Sequence, residues 1–138
     1  MMILSRVSTN SRHDQRGESG QTLVEFALVL PLIAVLLFGV IQFGITFNNY
    51  VTLTDAVRAG ARKAAVSRQT GDPVGAATAA VYSSASDLKS ANLNVSVSSD
   101  WLPGDPVTVT ATYPYTINLL GVVVKSGNLS SKTTERVE

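Results

Sequence analysis

An uninterrupted apolar run at residues 26–41 constrains the fold of this chain more than any other feature. All sixteen of these residues are apolar, and no charged side chain occurs between residues 26 and 54. At about 1.5 Å of rise per residue, residues 26–47 would extend roughly 33 Å as a helix, enough for a hydrocarbon core of about 30 Å. Because backbone polar groups in lipid need internal partners, a single segment of this kind has to be helical. The sequence therefore predicts a membrane protein with one transmembrane helix.

A single carboxylate, Glu25, stands at the head of the apolar run. A charged group at the bilayer centre costs about 2.5–3.5 kcal/mol on insertion scales, and less near the interface. In one interpretation, the Glu25 side chain simply reaches water at the membrane edge. The other interpretation uses Gly20, because cleavage after this glycine would free an amine on Gln21 at the same end of the helix. Glu25 would then pair with the terminal amine of a neighbouring subunit and fix the axial register of two bundled helices.

Small residues recur at helical spacing beyond the apolar run. Ala56, Gly60 and Ala64 follow one another at intervals of four, so they form a ridge on which another element could pack closely. The basic residues Arg58, Arg62 and Lys63 are interpreted as a face exposed to solvent. Alternatively, they contact lipid headgroups or an acidic face of another subunit. The elements predicted after this helix are a second helix at 74–89 and strands at 94–98, 107–113 and 129–137. Residues 116–124 are ambiguous between a strand and a loop packed on the helix.

The residues around Glu25 belong to a longer pattern of similarity. A glycine, four mixed residues and Glu25-Phe26 at the start of an apolar helix resemble the processing site of type IV prepilins, in the short form of the Flp/Tad subclass. Leu30-Pro31-Leu32, Gly39, Phe43-Gly44 and the segment 56–62 continue the pattern, and the tail segment 104–114 is also similar. In this order and spacing, the chain resembles the TadE-like family of minor pseudopilins of the Tad, or Flp, type IVb pilus system.

The resemblance implies a fold and a topology. The fold class is α+β, with a long N-terminal transmembrane helix that continues into a small external domain containing a second helix and a three- to four-stranded antiparallel sheet. The implied domains are a cleaved cytoplasmic leader (1–20), a long helix (21–68, with its transmembrane part at about 26–47) and an external domain (69–138). The implied location is the bacterial cytoplasmic (inner) membrane, with the N-terminus cytoplasmic and the C-terminal domain outside, or the pilus itself.

The resemblance also implies a function. A prepilin peptidase would cut between Gly20 and Gln21, and Glu25 and Phe26 would guide assembly and register. The implied partners are that peptidase, other pilins and pseudopilins of the Tad system, the inner-membrane assembly platform and the lipid bilayer. An uncleaved single-pass anchor that carries a binding module remains the alternative. A major pilin is disfavoured because major pilins of this subclass look much shorter.

Charge argues against one class of partner and does not fix the orientation of the helix in the membrane. The chain has a net charge of +1, and removal of residues 1–20 leaves eight basic and eight acidic residues, which argues against a nucleic-acid partner. Basic residues lie on both sides of the apolar run, so the positive-inside rule leaves the orientation undecided or even reversed. They are Arg6, Arg12 and Arg16 upstream and Arg58, Arg62, Lys63 and Arg68 downstream.

The sequence contains no recognisable catalytic constellation. There is no cysteine, and the single histidine, His13, lies in the predicted leader. A histidine-based triad or metal site is therefore excluded from the processed chain. The carboxylates beyond the membrane lie in or near turns and helix ends, where capping and solvation explain them. We expect a protein that is not an enzyme and that uses no metal and no cofactor.

Overall fold

The computed structural model describes residues 15–138, with side chains described from residue 20 onward. Its elements, in chain order, are α1 (Gln15–Val66), α2 (Pro73–Ser84), a 3₁₀ helix (Ser90–Asn92), β1 (Asn94–Ser98), β2 (Pro106–Leu119) and β3 (Val122–Arg136). A long N-terminal apolar helix, a second helix and a three-stranded antiparallel sheet confirm the predicted α+β class. Most of the predicted leader, with His13, lies outside the described residues.

The chain divides into two compact units, Met1–Leu37 and Phe38–Glu138. The described part of the first unit is helical throughout and belongs to α1, which stays helical on both sides of Pro31. The second unit contains the rest of α1 together with α2 and the sheet. Every buried residue of the described chain lies in this second unit.

The second helix begins at a residue that is suited to cap it. The carboxylate of Asp72 accepts a hydrogen bond from the Gly75 N–H at 2.7 Å, and proline occupies the first turn, where a missing donor is tolerated. The helix ends at Ser84, before the predicted end at residue 89. The chain turns at that point, which places Leu88 in the core, and the Tyr82 hydroxyl donates to the carbonyl of Leu93 at 2.9 Å.

The sheet has the order β1-β2-β3, with β2 in the centre and both pairings antiparallel. In β2, alternate residues are buried while the threonines between them are half-exposed, as expected for a strand with one face on a core. β2 and β3 are longer than predicted because a two-residue turn, Leu120-Gly121, joins them into one continuous hairpin. The ambiguous residues 116–124 are therefore strand and turn.

One apolar cluster lies between the C-terminal part of α1, α2 and the inner face of the sheet. Its largest fully buried apolar side chains are Leu53, Val57, Val81, Val107 and Val109. The end of the chain closes this cluster, because the Glu138 N–H donates to the carbonyl oxygen of Ala65 at 3.0 Å and Val137 is buried. The start of β2 and the end of β3 are thereby held beside the C-terminal end of α1.

Candidate processing and assembly site

The predicted cleavage position lies inside α1. Gly20 is exposed, and a Cβ placed there would have nothing within 4 Å. The helix begins upstream at Gln15, so the Gly20–Gln21 peptide bond is part of a helical backbone. Glycine weakens a helix interior by about 1 kcal/mol relative to alanine, because it loses more conformational freedom when it is ordered. The bond therefore follows an exposed glycine at a locally weak point of the helix.

Glu25 has a polar partner within its own helix. The Gln21 side-chain amide donates a hydrogen bond from Nε2 to Oε1 of Glu25 at 3.1 Å, one helical turn apart. Both residues are exposed, and so is Phe26, with 58% of its surface accessible. The structure therefore brings Gln21 and Glu25 together at the head of the apolar run, with Gly20 in the turn before them.

The apolar part of α1 is uncovered by the rest of the chain. The helical residues Gly20–Val66 include one stretch that is long and apolar enough to cross a bilayer, and none of that stretch is buried. Leu28 and Leu32, for example, are 74% and 70% exposed. Apolar surface on this scale is unfavourable in water and favourable in lipid or against other apolar helices. This arrangement fits a single-pass membrane protein.

The small-residue ridge packs against the chain's own domain. Ala56 and Ala64 are fully buried, and Gly60 is also buried. A Cβ at Gly60 would overlap the Cγ2 atom of Val81 and would lie 3.5 Å from Cγ1 of Val109. The ridge therefore lets α1 approach both α2 and β2 closely.

The basic residues of α1 lie on its outer surface. Arg58 forms an ion pair with Asp55 at 3.4 Å, but both side chains are at least 60% exposed, so the pair contributes little to stability. Arg62 and Lys63 are exposed as well. Arg68 differs, because its Nε atom donates to the Glu138 carbonyl oxygen at 3.0 Å and helps to hold the chain end on α1.

The carboxylates do not gather into a binding site. Among residues 20–138, whose side chains the structure describes, no group of three or more His, Cys, Asp or Glu residues is placed to hold a metal ion. Asp72 caps α2, as a turn or capping role predicts. The backbone of Asp105 is used in the turn before β2, where its N–H bonds to Leu102 and its carbonyl accepts from Val137.

Two structural features were not predicted from the sequence: an exposed apolar tip of the hairpin and a positive φ at Trp101. The outer half of the β2–β3 hairpin exposes an apolar tip, residues 119–124, where the sequence predicts only a strand or a loop. Trp101 adopts a positive φ of 57° and packs, partly buried, against the core. A run of apolar residues at a turn was the available signal for the tip, but it is equally typical of a buried strand.

These features define a class of protein: a small α+β domain built on the second half of a long helix whose first half has the properties of a single membrane span. Residues 20–62 match the family model described as TadE-like protein. The matched region contains the Gly20–Gln21 bond, Glu25, the apolar run and, of the small-residue ridge, Ala56 and Gly60. No curated protein and no solved structure matches the chain.

The family match agrees with the resemblance carried by the sequence motifs. It suggests a protein associated with the Tad pilus and with other components of that system. The match ends at residue 62, so the likeness of the tail segment 104–114 stays a prediction.

Proposed function

We propose that this chain is a non-catalytic minor pseudopilin of a Tad-type pilus or secretion machine. A prepilin peptidase cuts it between Gly20 and Gln21, and the new amine of Gln21 is a candidate for methylation. The product remains in the cytoplasmic membrane through α1, with its C-terminal domain outside, until it joins other pilins and pseudopilins on the assembly platform. The domain then offers the surface that neighbouring subunits contact.

One observation carries this proposal. A glycine and a glutamate five residues apart stand on an exposed helix at the head of an uncovered apolar run, inside the family-matched region. A plain anchor needs only the apolar run. The carboxylate adds an insertion cost, so its presence is better explained by a later partner that carries a positive charge.

The hydrogen bond between Gln21 and Glu25 supports a two-stage role for the carboxylate. Before assembly, the Gln21 amide supplies one hydrogen bond to Glu25 and lowers the penalty of holding that carboxylate at the membrane edge. After cleavage, the terminal amine of a neighbouring subunit supplies a stronger, charge-assisted partner. The exchange favours helices that pack side by side in one axial register.

Cleavage is tested by intact-mass and N-terminal analysis of the full chain, expressed with and without the cognate prepilin peptidase. The expected product begins at Gln21 only when the peptidase is present, and a bulky residue at position 20 blocks its formation. Replacing Gly44 in the same way is the matched control, because it also lies on α1 with open space around it. A chain that keeps its original N-terminus in the presence of active peptidase would contradict the proposal.

Glu25→Ala tests the assembly step. We expect the variant to reach the membrane but to be depleted from sheared pili, because one charge of a desolvated pair then lacks its partner. Breaking such a pair costs about 3–5 kcal/mol, which corresponds to a change of roughly 100-fold or more in an assembly equilibrium. Asp55→Ala is the control, since Asp55 is an exposed carboxylate of the same helix whose ion pair is only a surface contact. Normal incorporation of Glu25→Ala would refute the pairing role.

The second candidate is an uncleaved single-pass anchor that carries a binding module. The uncovered apolar part of α1 supports it as well as it supports the first candidate. The two differ only at the N-terminus, so the mass measurement decides between them.

A further inference from the structure

The outer half of the β2–β3 hairpin extends beyond the core. From Pro114 to Asn128 no residue is buried, although the preceding residue, Tyr113, is only 8% exposed. We call residues 114–128 the hairpin arm and residues 119–124 its tip. The tip exposes four large apolar side chains, each at least 57% accessible: Leu120, Val122, Val123 and Val124. A soluble surface rarely concentrates aliphatic side chains in this way, and such a patch is typical of a site that contacts a partner or a membrane.

The backbone of the tip points to the same conclusion. Leu120 and Gly121 form the two-residue turn, and both have positive φ, at 51° and 90°. Asparagine, aspartate and glycine favour the first position of such a turn, whereas leucine is disfavoured there by its Cβ. Leu120 therefore violates both the local backbone preference and the preference for polar side chains at an exposed turn. Positions that break local rules without an internal gain are typical of contact sites.

The hairpin arm runs along α1 toward the apolar segment of that helix. Ala65 of α1 bonds to Glu138, just beyond the end of β3, and Gly60 faces Val109 of β2. Moving along β2 from its start thus corresponds to moving backwards along α1. The arm therefore runs from the C-terminal end of α1 toward residues 38–47, where the apolar segment ends.

The arm is long enough to reach that level. Eleven residues separate Val109 from Leu120, which is roughly 36 Å of strand. Thirteen residues separate Gly60 from Phe47, which is roughly 20 Å of helix. The tip therefore reaches the level of Phe47 even when the strand is inclined to the helix by about 50°.

Charge favours a lipid surface as the occupant. No carboxylate occurs between Asp105 and Glu135, while Lys125 borders the tip and Lys132 lies further along β3. A basic residue beside an aliphatic tip can extend its ammonium group to anionic headgroups while the apolar atoms enter the membrane.

We propose that the hairpin tip inserts into the interfacial layer of the bilayer that holds α1, so that the domain contacts the membrane at two points. The inference rests on the proposed membrane anchoring of α1. The second contact restricts the tilt of the domain on the membrane surface. It also keeps the aliphatic tip out of water before assembly.

The absence of cysteine from the chain makes a direct test possible. Single cysteines at positions 123, 43 and 102 of the full-length protein receive an environment-sensitive fluorophore. The labelled protein is reconstituted at low density into vesicles of phosphatidylcholine and phosphatidylglycerol, with or without nitroxide-labelled lipid. Leu102 is the matched control, because it is an apolar residue with 59% exposure in the turn before β2, at the opposite end of the hairpin.

We expect nitroxide lipid to quench the label at positions 43 and 123 but not at 102. Leu120→Asn, combined with the label at 123, should reduce the quenching, since asparagine suits the turn but not the lipid. Quenching at 43 with a water-exposed label at 123 would overturn the inference and leave the proposed function intact. A label at 123 that is shielded from iodide yet unquenched by nitroxide would show a protein contact and also overturn it. No quenching at 43 would refute the anchor, and the inference with it.

Discussion

Replacing Gly60 by alanine tests how tightly α1 packs against α2 and β2. In a free helix, alanine is favoured over glycine by about 1 kcal/mol. At this position, however, the new Cβ would overlap Cγ2 of Val81 and lie 3.2 Å from the carbonyl oxygen of Ala77. Val81 is fully buried and β-branched, so its side chain cannot easily rotate away. Overpacking costs about 1–3 kcal/mol, and we expect the free energy of unfolding to fall by about 1–2 kcal/mol.

The effect of Gly60→Ala on the free energy of unfolding should change sign when the Val81 side chain is shortened to alanine. Val81→Ala alone should destabilise the protein by about 2 kcal/mol, through lost burial and the cavity it leaves. In that background the overlap with Cγ2 no longer exists, and only the ordinary contact with Val109 and the tight approach to Ala77 remain. Gly60→Ala should then be neutral or stabilising, because the helix preference is no longer opposed by the overlap.

Denaturant unfolding of the full chain in a mild detergent measures these differences. Trp101 is the only tryptophan and packs against the core, so its fluorescence reports the unit that contains Gly60. Gly44→Ala is the control, since a Cβ there has nothing within 4 Å and should not destabilise. Gly60→Ala could change the free energy of unfolding by the same amount in the wild-type protein and in the Val81→Ala variant. That result would refute the steric explanation, because the effects of independent sites are additive.

Two further substitutions use the same assay. Asp72→Ala should lower the free energy of unfolding by about 1 kcal/mol, because the Gly75 N–H loses its capping acceptor. Asp72→Asn should retain most of that stability, because the asparagine oxygen can still accept the hydrogen bond. Equal losses in the two variants would contradict the capping role. Leu120→Asn should raise the free energy of unfolding by up to about 1 kcal/mol, because asparagine tolerates a positive φ, and a clear loss of stability would show that the leucine supports the fold.

The sequence predicts correctly those elements whose local pattern of apolar residues matches the environment of the element in the fold. The apolar run predicted the exposed part of α1, and the alternation in β2 predicted its buried face. The spacing of Ala56, Gly60 and Ala64 predicted a close approach, although it could not say which element would pack there. That choice depends on the path of the chain after Val66, which no local pattern contains.

The features that the sequence left wrong or undecided depend on contacts between residues that are distant in sequence. α2 ends early because Leu88 and Leu93 are drawn into a core formed by α1 and the sheet. Within the hairpin arm, residues 116–124 were ambiguous because an apolar stretch gives the same pattern whether it is buried or exposed. Trp101 is partly buried against the core, a position that depends on the fold and not on its sequence neighbours.

Glu25 and Leu120 each place a side chain in a medium of the wrong polarity. A carboxylate is out of place at the head of an apolar helix, and an exposed leucine with positive φ is out of place at a water-facing turn. Neither residue gains a compensating contact in the core, whereas the residues around Gly60 satisfy packing and helix geometry together. We therefore propose that both residues have partners outside the chain. The partner that we propose for the Glu25 carboxylate is a cation on another subunit, and the one that we propose for Leu120 is lipid.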